Sequence, residues 1–315
     1  MEKALPMKKE KVKRKIHWKR FLPVYLLALP GVIYLIINNY LPMFGVVIAF
    51  KDLDFRKGIL FSDWAGLQNF QYLFQSSDAW QITRNTVCYN LAFIVLNAVL
   101  GITVAIFLNE VRGKLATRFY QSIMLVPFLI SWVVVSYLAY AFLATDTGFI
   151  NNSILEPLGL QPISWYTEAK YWPAILIFVQ VWKSIGFQCV IYYSSLISIS
   201  TDYYEAATID GATKWQQIKN ITLPLLKPTV ITLTILALGR IFNSDFSLFY
   251  QVPKNSGMLY STTRTLDVYV YNALMNNNDY AMSSAASVYQ SIVGFICIML
   301  ANGAIRKLDR SNALF

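Results

Sequence analysis

The sequence predicts an all-α polytopic integral membrane protein with about six transmembrane helices, on two grounds: its bulk composition and the spacing of its apolar runs. Of 315 residues, 56% are hydrophobic and 14% charged, with a mean hydropathy of +0.44, whereas a soluble domain carries about 25% charged residues. Aromatic residues make up 15%, which suits a membrane interface, where one end of a Trp or Tyr ring is wet. About 20 apolar residues are needed to cross about 30 Å of hydrocarbon. Six stretches satisfy that requirement: 22–50, 85–109, 122–144, 172–198, 227–250 and 285–305.

The first stretch is long and holds Pro23 and Pro30, so it is expected to continue past the membrane surface or bend there. A basic start before an apolar run also describes a signal peptide, but Phe21–Phe50 is too long for one and no small-residue cleavage site follows. Cys88, Cys189 and Cys297 fall inside apolar runs at separations that form no metal-ligand spacing, so they read as buried free thiols. The single histidine, His17, lies in the basic amino-terminal tail. A His-centred active site or metal cluster cannot be built from these parts. Gly113-Lys114 lacks the upstream glycine and following Ser/Thr of a phosphate-binding loop. The net charge of +10 does not signal nucleic acid, because the cations sit between apolar runs instead of clustering on a soluble surface.

Their distribution instead sets the topology. The amino-terminal tail holds nine Lys/Arg, and the loops near 110–121 and 199–227 and the carboxy-terminal tail hold three each, against seven in the opposite loops. By the positive-inside bias both termini and the 199–227 loop face the cytoplasm. The tail from Lys8 to Arg20 reads as a topology determinant or lipid-headgroup contact. No low-complexity linker or short repeat interrupts the chain, so the simplest partition is a basic cytoplasmic tail over 1–20 and one transmembrane domain over 21–315. The outward loops 51–84, 145–171 and 251–284 are long for connectors.

The 199–227 loop is more than a connector. Asp202, with Glu205 three residues on, has the capping-box pattern and predicts a helix start. Gly211 supplies the left-handed residue that closes such a helix. Trp215, Ile218 and Ile221 recur on one face of a second helix that is expected to end near Leu223-Pro224. The spaced set Glu205-Ala206-Ala207, Asp210-Gly211-Ala212 and Ile221-x-Leu223-Pro224 resembles the cytoplasmic signature of permease subunits in binding-protein-dependent ABC importers.

That resemblance implies a coupling helix on which a partner ATPase docks. Ala206 and Ala207 would let the helix sit close in a groove, Glu205 would meet a basic group, and Gly211 would supply the bend. It further implies two ATPase subunits that hold ATP and Mg, a second homologous permease, an extracytoplasmic solute-binding protein, and no cofactor or chemistry in this chain. The bland reading of the same residues is a cap and helix filler. Trp64-Ala65-Gly66-Leu67 followed by Asn69-Phe70, then Asn85-Thr86, look like carbohydrate-importing members. Tyr271 onward, Ser283 to Ala286 and Arg306-Lys307 look like the subgroup for complex oligosaccharides and polysaccharide fragments.

Substrate-path candidates come from polar residues inside the runs. Lys183 and Arg240 fall near the middle of the fourth and fifth stretches, where a bare cation costs at least ~2.5 kcal/mol. Helical spacing places Asn243, Ser244 and Ser247 near Arg240, with Phe242, Phe246 and Tyr250 as an aromatic row. Gln180, Phe187, Gln188 and Tyr192 accompany Lys183. Polar groups beside aromatic faces suit an oligosaccharide, and the cations suit an acidic, uronate-containing one. Snorkelling, a structural pair with Asp245, or contact with the second permease would equally explain the cations, and helix packing would explain the aromatic rings. Another solute on the same machinery, such as an amino acid, phosphate ester or osmolyte, is the first alternative. An ATP-independent secondary carrier is the second, but Asp245 is the one carboxylate within the second to sixth stretches, which leaves ion coupling little to work with.

Overall fold

The computed structural model describes residues 18–308. The chain divides into two compact units, Met1–Val47 and Ile48–Phe315. Most of the basic tail assigned to residues 1–20 lies outside the described residues, and helix is already present from Trp18.

In the first unit, α1 (Trp18–Leu35) runs through Pro23 and Pro30 and passes into a π turn over Ile36–Tyr40. The short α2 (Leu41–Met43) follows, and a 3-10 segment, Phe44–Phe50, completes the candidate crossing Leu22–Phe50. Two further π turns, Asn151–Leu155 and Ile218–Thr222, share a cause with the first. Each ends two residues before a proline: Pro42, Pro157 and Pro224. A proline ring crowds the carbonyl four residues back and offers it no N–H, so the ladder relaxes by one residue at that turn.

The second unit opens with a two-stranded antiparallel hairpin, β1 (Lys51–Asp52) against β2 (Asp63–Trp64), which encloses α3 (Gly58–Phe61). Lys51 is buried there, donating to the carbonyls of Leu60 at 2.7 Å and Ser62 at 3.1 Å. After α4 (Gln68–Gln75) comes α5 (Ser77–Glu110), whose 34 residues span about 51 Å. It starts earlier than the 85–109 stretch, so Asp78 and Arg84 belong to the helix and not to a loop.

The third crossing is broken. Helices α6 (Lys114–Leu129) and α7 (Trp132–Leu143) meet at 90° across two extended residues, Ile130 and Ser131. Pro127 is followed by the break, and Ser131 Oγ caps the new helix by accepting from Val134 N. The fourth crossing, α8 (Trp172–Leu196), packs on α5 and α6. The contact with α6 is close: a Cβ on Gly186 would sit 1.8 Å from the Met124 carbonyl oxygen.

Helix α9 (Thr201–Ile209) follows, and then α10 (Lys214–Gln217), the π turn and α11 (Leu223–Leu238) form one path. The second short helix therefore does not end at Leu223-Pro224. Pro224 sits in the first turn of α11, where a missing N–H is tolerated, and Lys214–Leu238 is a single candidate crossing. The π turn also breaks the expected stripe, since Trp215 is exposed while Ile218 and Ile221 are half-buried. The predicted crossing 227–250 is corrected as well. Helix ends at Leu238, residues 239–242 form turns, 243–245 are irregular, and α12 (Phe246–Gln251) is a separate short helix.

The long loops 51–84, 145–171 and 251–284 are filled by packed elements. After α13 (Tyr260–Thr263) and α14 (Leu266–Met275), the chain closes with α15 (Tyr280–Leu308). Asn69 Nδ2 donates to the carbonyls of Ala49 and Lys51, Asn85 Nδ2 to those of Ser261 and Arg264, and Ser283 Oγ to that of Val270. Leu266 N donates to Thr86 Oγ1 at 2.9 Å. Residues that suggested a carbohydrate subgroup thus pin these loop elements to the long helices and to one another. Tyr166 donates to the Val252 carbonyl at 3.4 Å, and burial raises its pKa above the ordinary tyrosine value, so the hydroxyl stays protonated. Of the cysteines, Cys189 is buried as read, whereas Cys88 is exposed and Cys297 half-buried.

Substituting Gly186→Ala is expected to push α6 and α8 apart at a cost of about 1–3 kcal/mol. The check is a lower thermal unfolding midpoint for the purified protein in detergent. An unchanged midpoint would show that the helices are not locked at this contact.

Candidate functional site

Two regions gather the candidate residues, one at each end of a long span. At the first, Ser200 caps α9, its hydroxyl accepting from Asp202 N at 3.3 Å. The expected Asp202–Glu205 capping box is therefore displaced. A capping box forms instead at α10, between Thr213 and Gln216. Gly211 has φ of +79°, and the N–H groups of Gly211 and Ala212 return to the carbonyls of Thr208 and Ala207. This six-to-one closure needs a left-handed residue, which glycine supplies without a Cβ penalty.

Two side-chain contacts fold α9 back on the following path: Tyr204 Oη lies 3.0 Å from Thr222 Oγ1, and Gln217 Nε2 donates to Thr208 Oγ1 at 2.9 Å. Lys214 on α10 pairs with Glu110 at the end of α5 at 3.3 Å. The outer surface of this V carries Glu205, Ala206 and Asp210, all exposed, with Ala207 half-buried. Glu205 has no hydrogen-bond or ion-pair partner among the described residues. Tyr203, Ile209 and Trp215 are exposed beside them, Ile209 to 86%. The sequence reading passed over Tyr203 and Ile209. Their signal is an apolar side chain at the rim of an otherwise polar loop. Leu223 and Pro224 are exposed in the first turn of α11.

The second region is a cavity of about 290 Å³ between α5, α8 and α11. Gln180, Phe187, Gln188 and Tyr192 line it from α8, and Arg240 and Asn243 from the turn after α11. The expected helical row is not the reason they meet. Residues 239–245 leave the helix, and Asn90 Nδ2 holds the turn by donating to the carbonyls of Ile241 and Asn243 at 2.8 and 3.2 Å. Gln290 Nε2 donates to the Phe242 carbonyl at 2.7 Å. Ser244 is occupied as well: its N–H and hydroxyl both donate to Asp267 Oδ2. Ser247 lies on α12, its N–H bound to the capping carboxylate of Asp245 at 3.0 Å. Neither serine lines the cavity. Phe242 is buried against other apolar residues, so the row reduces to Phe246 and Tyr250, stacked at 4.9 Å and joined by Tyr271.

The two cations have opposite fates. Lys183 is 8% exposed and its ammonium donates to the carbonyls of Pro127, Phe128 and Ile130, at 3.2, 2.7 and 2.6 Å. It also lies 5.1 Å from the Trp132 ring, whose indole N–H donates to Asp245 at 2.8 Å. Lys183 therefore satisfies the backbone of the broken crossing and does not face the cavity. Arg240 is exposed at the cavity, and its guanidinium has no hydrogen-bond or ion-pair partner among the described residues. Asn90 and Asn97 are cavity residues that sequence reasoning missed; a lone amide inside an apolar run was the available signal. Asn97 Oδ1 accepts from Ser184 at 2.7 Å, and Gln180 Oε1 is buried without a donor.

The fold and these sites define a multi-pass helical membrane protein that holds a cavity lined in part by amides within its spans and an exposed, bent loop between two of them. The chain belongs to the family of binding-protein-dependent transport system inner membrane components, which its residues 97–311 match. It is 33% identical over 294 residues to the protein LplB of Bacillus subtilis (strain 168), covering 93% of this chain and 92% of that one. It is also 33% identical over 316 residues to the polygalacturonan/rhamnogalacturonan transport system permease protein YteP of the same organism, covering 98% and 96%. Among solved structures it resembles a chain of a bacterial ABC transporter involved in the import of the acidic polysaccharide alginate. That match has a TM-score of 0.83 and 30% identity over 92% of this chain and 97% of the other.

Replacing Lys183 with Met leaves buried carbonyls of the break without donors. The expected loss is about 1–3 kcal/mol of stability, read as a lower unfolding midpoint, with Lys183→Arg retaining more of it. Equal midpoints for the native protein and Lys183→Met would refute the structural role.

Proposed function

We propose that this chain is the permease subunit of an ABC importer that passes an acidic, uronate-containing oligosaccharide into the cytoplasm. The observation that carries the reading is Arg240, a guanidinium without a counter-ion among the described residues, at a cavity lined by amides beside aromatic and aliphatic side chains. Guanidinium groups recognise carboxylates through paired, charge-assisted hydrogen bonds. Amides suit sugar hydroxyls, and the exposed Phe187 ring suits a C–H face, whereas Tyr192 is buried behind the wall. Support comes from the similarity to a permease named for polygalacturonan and rhamnogalacturonan and to a transporter that imports alginate.

The chain works beside a second permease, so that the path lies between the two. Two ATPase subunits, which hold ATP and Mg, dock on the cytoplasmic V through Glu205, Ala206, Ala207, Asp210 and Gly211, with Leu223 and Pro224 joining that surface to the membrane. Both termini lie on the same cytoplasmic side. An extracytoplasmic binding protein delivers the sugar to the opposite face; a related alginate transporter has been solved in complex with a pentasaccharide-bound periplasmic protein. Closure of the ATPases moves the V, and the continuous path from α10 into α11 conveys that motion to the turn bearing Arg240. The chain supplies binding and motion and performs no covalent chemistry.

In vesicles holding the whole complex, Arg240→Gln is expected to raise KM for a trigalacturonate by about tenfold or more, the loss of one charge-assisted contact. The methyl-esterified trisaccharide should be little affected. Equal effects on both sugars would overturn the acidic assignment.

Glu205→Ala and Gly211→Pro test the docking surface. With assembly intact, ATP-driven uptake by the Glu205→Ala complex should fall by about thirtyfold or more, the scale of losing one partner of a buried charge pair, and Gly211→Pro should reduce it as well. Uptake at the native rate without ATP and with both substitutions would favour a secondary carrier.

A further inference from the structure

The turn after α12 carries a cation in an unusual backbone setting. Lys254 N–H donates to the Gln251 carbonyl at 3.1 Å and Asn255 N–H to the Tyr250 carbonyl at 3.0 Å, the paired closure of a helix C-terminus. The residue at its pivot must be left-handed, and glycine is the usual occupant. Here Lys254 has φ of +53° and Asn255 of +47°. Asparagine tolerates this region; lysine does so at a cost of about 1–2 kcal/mol. A strained residue that glycine would relieve points to a use for its side chain.

That side chain is held in place. The Lys254 ammonium lies 4.1 Å from the Tyr140 ring centroid and 5.1 Å from that of Tyr137, both on α7, so cation–π attraction fixes it over two exposed aromatic faces. Lys254 is itself exposed and has no carboxylate partner among the described residues. Asn255 is tied to the Asn272 side chain at 3.0 Å and to Tyr260 Oη at 3.1 Å, which keeps the turn from relaxing.

The position is on the face opposite the cytoplasmic V. Ser256 Oγ donates to the Tyr166 carbonyl at 3.2 Å, just before α8 begins, whereas α8 ends next to α9. The ammonium also continues the line from the cavity. Arg240 and Asn243 lead to Asp245, which receives the Trp132 indole N–H at the start of α7, and α12 then extends about 9 Å to the Lys254 turn. Helix α7 flanks α12 along the way.

We infer that Lys254, over Tyr137 and Tyr140, forms an outer subsite that binds a carboxylate of the acidic oligosaccharide before that sugar reaches Arg240. The subsite rests on the acidic-substrate reading. The ammonium, held over the tyrosine rings, pairs with the uronate carboxylate.

The test uses the strain itself. Lys254→Gly removes the charge but relieves the backbone, so stability and transport should move in opposite senses. In vesicles holding the full complex, Lys254→Gly and Lys254→Gln should each raise KM for trigalacturonate by about threefold, the scale of one exposed charge contact, and leave KM for its methyl ester unchanged. Lys254→Arg should retain most of the native value. The effect should shrink as salt rises, and the unfolding midpoint of Lys254→Gly should equal or exceed the native one. If trigalacturonate KM is the same for the native protein and Lys254→Gly while Arg240→Gln still raises it, the outer subsite is wrong and the acidic reading survives. If the native complex favours the methyl ester over the acid, both fall.

Discussion

Inside a bilayer there is no water to satisfy backbone N–H and C=O groups, so each interruption of a spanning helix must be answered by protein groups at the same depth. This chain is interrupted twice where it matters, between α6 and α7 and between α11 and α12. At the first interruption one ammonium, Lys183, accepts the task for three carbonyls. At the second, Asn90 and Gln290 answer the carbonyls of Ile241, Phe242 and Asn243, and Asp267 answers the N–H and hydroxyl of Ser244. These polar side chains are spread over α5, α8, α14 and α15, so the interruptions hold the bundle in one arrangement.

The same constraint makes the cavity. Because α11 stops at Leu238, Arg240 is carried on a turn instead of a helix and faces the space between α5, α8 and α11. A guanidinium there costs less than on a lipid-facing helix, since it borders a polar cavity. Phe128 and Phe187 stack at 4.7 Å across α6 and α8, so the break held by Lys183 also positions a ring of the cavity wall. Structure and proposed recognition therefore share residues. A shift of the helix ends would alter the cavity without changing its composition.

Much of the architecture was legible beforehand. The crossings announced themselves through length and hydropathy, and Gly211 through its place after a helical run. The V of α9 and α10 was readable because its spaced small and acidic residues form a local pattern. The helix stops near 130 and 239 were less visible, since apolar residues continue through both and hydropathy does not register a change of direction. The cap at Ser200 was misassigned to Asp202 because either residue can serve and only the backbone chooses. The π turns became readable once Pro42, Pro157 and Pro224 were seen to stand in the same relation to each.

The sequence by itself determined that this is a multi-pass helical protein, that a bent segment joins two of its spans, and that two cations lie within apolar runs. These are properties of composition and short-range spacing. Only the tertiary structure decided which cation is free. Lys183 and Arg240 look alike in sequence, each alone in an apolar stretch, but the carbonyls that claim Lys183 come from residues more than fifty positions away. No comparable set reaches Arg240 among the described residues. Whether a buried charge is structural or available depends on what the fold brings within hydrogen-bonding distance, and that is a property of the packed chain.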